Sequence, residues 1–125
     1  MLRPAYRVGL SNRWAGGPQD LMIALHARRS AASIQAWRAA HPQRPLLLVL
    51  TGTDLYRDID ADAQAQHSLA LADALVVLNE LGAQQLPLAL RGKTHVVLQS
   101  CTARVPAQRT ARHLRALMVG HLRDE

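Results

Sequence analysis

The 125-residue chain contains no phenylalanine, a single cysteine and a single lysine. Each shortage excludes something. Cys101 has no partner for an intrachain disulfide and no second cysteine or nearby histidine at metal-ligand spacing, so it reads as a small buried or half-buried side chain. The aromatic residues are Tyr6, Trp14, Trp37 and Tyr56, scattered and not interleaved with basic residues. Single-stranded nucleic acids are usually held on stacked aromatic platforms, so this distribution argues against them. No apolar run approaches the ~18 residues that cross a bilayer, and the N-terminus lacks the pattern of a signal peptide. A soluble, cytoplasmic protein with no membrane partner is the expectation.

What is present is arginine. Fifteen basic against nine acidic residues give a net charge of +6, and Lys93 is the only lysine among them. Guanidinium suits planar, multi-point contact with phosphate, so anionic partners of several kinds are open on charge alone. Hydrophobic residues make up 49%, and the length is that of one ordinary domain with one core.

Apolar runs of strand length fall at residues 6–10, 21–25, 46–50, 75–78, 95–98 and, less sharply, 116–119. Most are continuous instead of alternating, which suits strands covered on both faces. Helical stretches lie between them. Residues 30–40 place Ile34 and Trp37 on one face, with Ser30 as N-cap and Pro42 as stop. Residues 60–72 are alanine-rich, with Asp60 and Asp62 at the positive end of the dipole. Residues 81–91 are interrupted by Pro87, which restarts the turn. This alternation predicts an α/β fold, a Rossmann-like parallel sheet with helices on both faces.

In such a sheet the ligand lies outside the carboxyl ends of the strands. The residues that follow the predicted strands are therefore the candidates: His26, Ala27, Arg28, Arg29 and Ser30; Thr51, Gly52, Thr53 and Asp54; Asn79 and Glu80; Gln99 and Ser100. The first group feeds a helix N-terminus, where free N–H groups favour an anion. Plainer readings stand beside this one. His26 can be a strand-end histidine satisfied by a carbonyl, one of the two arginines can pair with Asp54 or Asp58, and residues 51–54 can be only a turn.

Three motifs carry no site. Residues 91–94, Arg-Gly-Lys-Thr, lack the second P-loop glycine, whose place is taken by Pro87, and precede a strand instead of following one. Asp60 and Asp62 have the spacing of a metal-holding pair but the setting of a helix start. The histidines at 26, 41, 67, 95, 113 and 121 lack the spacing of a helical zinc site. No metal and no cofactor is implied.

Four blocks, HARRSAAS at 26–33, LTGTDLYRD at 50–58, SLALADALVVLN at 68–79 and VGHLRDE at 119–125, resemble the selenosugar synthases of selenoneine biosynthesis and their relatives among GT-B glycosyltransferases. The resemblance runs from about Tyr6 to the last residue. It implies an enzyme that joins a sugar from a UDP-sugar, typically UDP-N-acetylglucosamine, to selenium from selenophosphate, in a metal-free cleft between two Rossmann-like domains. Against that pattern the chain lacks the first βα unit and most of the donor domain. The implied organisation is residues 1–101 as a partial N-terminal acceptor-side domain, 102–115 as a linker rich in alanine and arginine that would also support a helix, and 116–125 as the start of the donor domain. The chain then reads as a fragment or a truncated gene product.

Selenophosphate brings its own negative charge, so the acceptor side needs cations and oriented donors more than a strong base. Arg28, Arg29 and Arg57 fit that need, with Ser30, Thr51, Gly52 and Thr53 beside them and Tyr56 as a wall for the sugar. His26 is an orienting donor, or a base toward a hydroxyl or thiol, with Asp54 as its partner. By resemblance Gly120 and Arg123 are donor-phosphate positions. The UDP-sugar donor and an anionic selenium acceptor are the implied partners, and exposed sheet edges permit self-association. The other function class is a non-enzymatic anion- or nucleic-acid-binding module, or an inactive truncated product, recognisable by a steep fall of polynucleotide affinity with salt.

Overall fold

The computed structural model of the chain describes residues 5–100. Four strands, β1 (Met22–Leu25), β2 (Leu46–Val49), β3 (Ala74–Val77) and β4 (Thr94–Val96), form one sheet in the order β1-β2-β3-β4 with every pair parallel. Helix α1 (Ala31–Ala40) crosses from β1 to β2; a wide π-type turn (Asp54–Asp58), the single turn α2 (Ile59–Ala61) and α3 (Ala63–Leu71) cross from β2 to β3. A 3-10 turn (Gly82–Gln85) and the short α4 (Leu88–Arg91) cross from β3 to β4, separated at Pro87 as its ring predicts. The expected α/β, Rossmann-like architecture is present.

Two expectations are corrected. Residues 6–10 are not a strand: Tyr6, Val8 and Leu10 are 67%, 39% and 83% exposed, so neither side of the alternation is buried. A strand needs an edge to pair with and a surface to cover, and this segment has found neither. The chain after it is drawn instead to the helix side, where Trp14 N–H donates to Ser33 Oγ and Arg44 Nη1 donates to Gln19 O. The second correction concerns the layers. Helices α1 and α3 pack against each other, and the apolar residues of both belong to one core cluster with the strands. Consecutive crossovers between sequential neighbours keep one hand, so all of them fall on one face. The described helices therefore cover one side of the sheet, not both.

The core lies between that side and the helices. Ala24, Leu46, Leu48, Leu50, Leu75 and Val77 project from the sheet onto Ile34 and Trp37 of α1 and Ala65 and Leu69 of α3, with Leu55, Ile59 and Leu86 closing the top. Trp14 packs edge-on to Trp37 at 5.5 Å. Asp62 caps α3 by accepting Ala65 N–H at 2.9 Å, as its position at the helix start predicts. Ser30 occupies the N-cap of α1 but does not cap it; its hydroxyl donates back to Leu25 O. Lys93 is structural: Nζ donates to the carbonyls of Leu69 and Ala72 at the C-terminus of α3, where a cation opposes the dipole. Asp73 receives Arg38 Nη2 and Leu46 N–H, both at 2.8 Å, and locks α1 to β2 and β3. The strand expected over 116–119, the linker and Cys101 lie outside the described residues.

Candidate functional site

Parallel strands end on one rim, so the segments after β1, β2 and β3 arrive together. His26 follows β1 with φ 72°, in the left-handed region that a non-glycine residue enters at a cost of ~1–3 kcal/mol. The strain turns the chain sharply out of the sheet and leaves the imidazole 6% exposed beneath the rim. Its Nδ1 accepts Arg29 N–H at 3.4 Å, which places the proton on Nε2, 3.2 Å from Thr53 Oγ1. Thr53 Oγ1 then accepts from His26 and keeps its own hydroxyl proton for an outside acceptor.

Asp54 is fully buried and its carboxylate is committed. Oδ2 accepts Ala27 N–H at 2.9 Å, and Oδ1 accepts the N–H groups of Thr51 at 2.9 Å and Gly52 at 3.0 Å. It therefore clamps the loop after β1 to the loop after β2. Its nearest approach to His26 Nδ1 is 3.9 Å, too long for a hydrogen bond. The expected His26–Asp54 pair is replaced by a positioning role for Asp54. Gly52, at φ 127°, makes the clamp geometrically accessible.

The residue that sequence reasoning undervalued is Asp58. It sits four positions after Asp54 in the π-type turn, a spacing that puts both carboxylates on one side, and such turns cluster at functional sites. Its side chain is 7% exposed. Arg28 Nε lies 3.0 Å from Asp58 Oδ2, close enough for an ion pair but off the line of a hydrogen bond, so Oδ2 has no hydrogen-bond donor among the described residues. His26 Nε2 is 3.9 Å from the same oxygen. The i, i+4 spacing is a legible signal, although on sequence alone Asp58 is weighed only as a partner for one of the two arginines.

The arginines divide as the sequence suggested. Arg28 pairs with Asp58; Arg29 is exposed with no side-chain partner among the described residues, and Arg57, 64% exposed, reaches only 3.9 Å from Asp58 Oδ1. All three arginines are exposed, and Arg28 and Arg57 reach only Asp58, the second of the two buried carboxylates. Ser30 is on the rim, but its hydroxyl proton is spent on Leu25 O, so it offers an anion nothing from that group. The first turn of α1 has no side-chain cap; Ala31 N–H donates to Arg28 O and Ile34 N–H to Ser30 O, which leaves the N–H groups of Ala32 and Ser33 to solvent or ligand.

Beside this cationic edge lies a cleft of about 240 Å³. Leu50, Leu55 and Leu78 form its floor, Tyr56 and Asn79 its walls, and Thr51, Gly52 and Gln99 its mouth. Asn79 is fixed on both sides: Oδ1 accepts Gly82 N–H at 2.8 Å and Nδ2 donates to Tyr56 Oη at 3.1 Å. None of the lining residues is charged. Its volume, below the ~300–1,000 Å³ of a drug-sized pocket, suits one ring-sized group.

His26, Arg28, Thr53, Asp54, Arg57, Thr51, Gly52 and Tyr56 are therefore brought together; Gly120 and Arg123 lie outside the described residues. Among the described residues no group of three or more His, Cys, Asp or Glu side chains could hold a metal ion, and no helix is long and apolar enough to cross a membrane. No protein-family model matches the chain, and no curated protein matches it at a meaningful level of similarity.

Proposed function

We propose that this chain is the acceptor-side domain of a GT-B-type glycosyltransferase that joins a UDP-sugar, UDP-N-acetylglucosamine foremost, to the selenium of selenophosphate. One observation carries the reading: the loops after β1 and β2 meet on one rim, clamped by Asp54, with free guanidinium on one side and an uncharged cleft on the other. That division matches the two halves of the reaction. The anionic acceptor takes Arg29 and Arg57, the uncapped start of α1 and the hydroxyl of Thr53. The neutral sugar ring takes the cleft, flanked by Tyr56 and the carboxamides of Asn79 and Gln99. By resemblance, Gly120 and Arg123 serve the donor phosphates.

In this reaction a selenium lone pair attacks the anomeric carbon, the bond from that carbon to the UDP oxygen breaks, and its electron pair leaves with UDP. No proton need be removed from a nucleophile that is already anionic, so His26 acts as the group that orients Thr53, and Arg28 with Asp58 fixes the loop under the acceptor. The chain's own contribution is charge placement before the reaction, which is where fixed dipoles and cations lower a barrier most.

The test is titration of the chain with selenophosphate, and with thiophosphate as its chemically stable surrogate, followed by amide shifts of residues 26–30 and 51–57. Saturable shifts in both segments, weakened about tenfold in Arg29→Ala, are expected. Shifts confined to one segment would remove the shared rim. Binding of a polynucleotide instead, with a steep dependence on salt, would favour the nucleic-acid module.

A further inference from the structure

The cleft beside the rim carries a short run of hydrogen bonds whose direction is fixed at one end. Gly82 sits tight against the core, where an added Cβ would stand 2.9 Å from Val77 Cβ and 3.3 Å from Leu55 Cδ2. Its N–H can only donate, so the Asn79 side-chain atom 2.8 Å away is the oxygen. The carboxamide nitrogen then faces Tyr56 Oη at 3.1 Å and donates to it. A phenol oxygen that accepts this bond keeps its own proton for another partner. Tyr56 is therefore left with an O–H to give and Asn79 with a second N–H, while the oxygens of both are already accepting.

The rest of the lining narrows what these donors can meet. Leu50 and Leu55 are buried, Leu78 is half-buried, and no described residue of the lining carries a charge. Such surroundings suit a neutral group with a hydrogen-bond acceptor and a short hydrocarbon end. A carbonyl oxygen accepts and brings no proton of its own. A ligand hydroxyl in the same place also brings a donor, and the nearest oxygens, Asn79 Oδ1 and Tyr56 Oη, are engaged. An unmatched donor in a partly apolar cleft weakens binding, and a site built on one sense of hydrogen bond rejects the wrong partner for that reason.

We infer that the Tyr56 hydroxyl, aimed by Asn79, decides which sugar the cleft takes: it selects one bearing an acylamino group over one bearing a hydroxyl at the same position. The carbonyl of that group takes the Tyr56 proton, and its methyl lies on Leu50, Leu55 and Leu78. This selectivity rests on the cleft being the seat of the sugar, and it names the group that is read there. Asn79 is a positioning residue in it, setting the sense of the phenol. Asn79→Asp separates its two bonds. A carboxylate at that position still accepts Gly82 N–H, but its second oxygen captures the Tyr56 proton and leaves the cleft an acceptor in place of a donor.

The test titrates the full chain with N-acetylglucosamine and, separately, with glucose, following amide and methyl resonances of residues 50–56 and 78–82. N-acetylglucosamine should bind roughly tenfold more tightly, with nuclear Overhauser effects from its acetyl methyl to Leu50, Leu55 or Leu78. Tyr56→Phe, which keeps the ring, and Asn79→Asp, which keeps the bond to Gly82, should each bring the two sugars to within about twofold of one another while the emission of buried Trp37 stays unchanged. Equal binding of both sugars by the unsubstituted chain would overturn the selectivity and leave the sugar in the cleft. Shifts from neither sugar would overturn it together with the sugar half of the proposed reaction. A preference that survives Tyr56→Phe would remove the hydroxyl as its source. Should Asn79→Asp unfold the chain, Tyr56→Phe decides alone, because Tyr56 is 55% exposed and lies outside the core cluster.

Discussion

Replacing Asp54 should do more damage than replacing any exposed residue of the rim. Its carboxylate accepts three backbone N–H groups from two loops that are separate in sequence. In Asp54→Ala the N–H of Ala27, itself fully buried, is left without a partner, at ~1–3 kcal/mol for one orphaned buried donor. Thr51 is exposed and Gly52 half-buried, so water recovers part of their loss. The total is ~3 kcal/mol, a large share of the ~5–15 kcal/mol that holds a domain together. At roughly 4 °C per kcal/mol for a domain of this size, Tm should fall by ~12 °C. Asp54→Asn keeps one acceptor and turns an amide donor toward the others, so it should lose ~2 kcal/mol. Urea unfolding followed by tryptophan emission measures both, because Trp37 is wholly buried and its emission shifts red on exposure. The clamp also sets the distance from His26 to Thr53, so thiophosphate binding by the folded fraction of either variant should weaken. A loss below ~1 kcal/mol for Asp54→Ala, with an unchanged denaturant slope, would refute the clamp.

Other outcomes follow from neighbouring contacts. Gly52→Ala forces a Cβ onto a backbone at φ 127°; a loss of ~1–3 kcal/mol in urea unfolding is expected, together with weaker anion binding. His26→Asn keeps a residue tolerant of the left-handed region and should be more stable than His26→Val by ~1 kcal/mol or more, measured the same way. Arg57→Ala should leave urea stability within ~0.5 kcal/mol while weakening thiophosphate binding, since its guanidinium is 64% exposed and only distantly paired. For Asp73, partial burial raises the carboxyl pKa, but the hydrogen bonds from Arg38 and Leu46 and the charges of Arg38 and Lys93 outweigh it and hold it below the usual value. A depressed folded pKa stabilises above the unfolded value near ~3.9 and is lost as pH falls through the folded one. Asp73→Asn should therefore flatten the decline of stability below pH ~4, and an identical acid limb in the two proteins would contradict the assignment.

Periodicity and punctuation made much of this protein legible. Four apolar runs became β1 to β4 because short continuous stretches rich in leucine and valine, bounded by turn residues, favour an extended backbone. Pro42 ended α1, Pro87 split the segment before β4, and Asp62 capped α3, all local consequences of proline geometry and a short carboxylate. The rule that ligands gather at strand ends located the rim. It could not rank the residues on it. His26, Asp54 and Ser30 looked like three chemical groups of one site; hydrogen-bond geometry made the first an orienting donor, the second a clamp and the third a brace on Leu25 O.

By itself, then, the sequence determined the elements, their parallel arrangement and the edge on which polar groups collect, since these follow from side-chain period and short-range backbone preference. Tertiary structure alone decided which carboxylate is spent on backbone donors and which keeps an open oxygen, where uncharged cleft gives way to free guanidinium, and that the described helices share one face. Those outcomes depend on distances between residues far apart along the chain, and on the constant hand of successive crossovers, neither of which is written into any single stretch of residues.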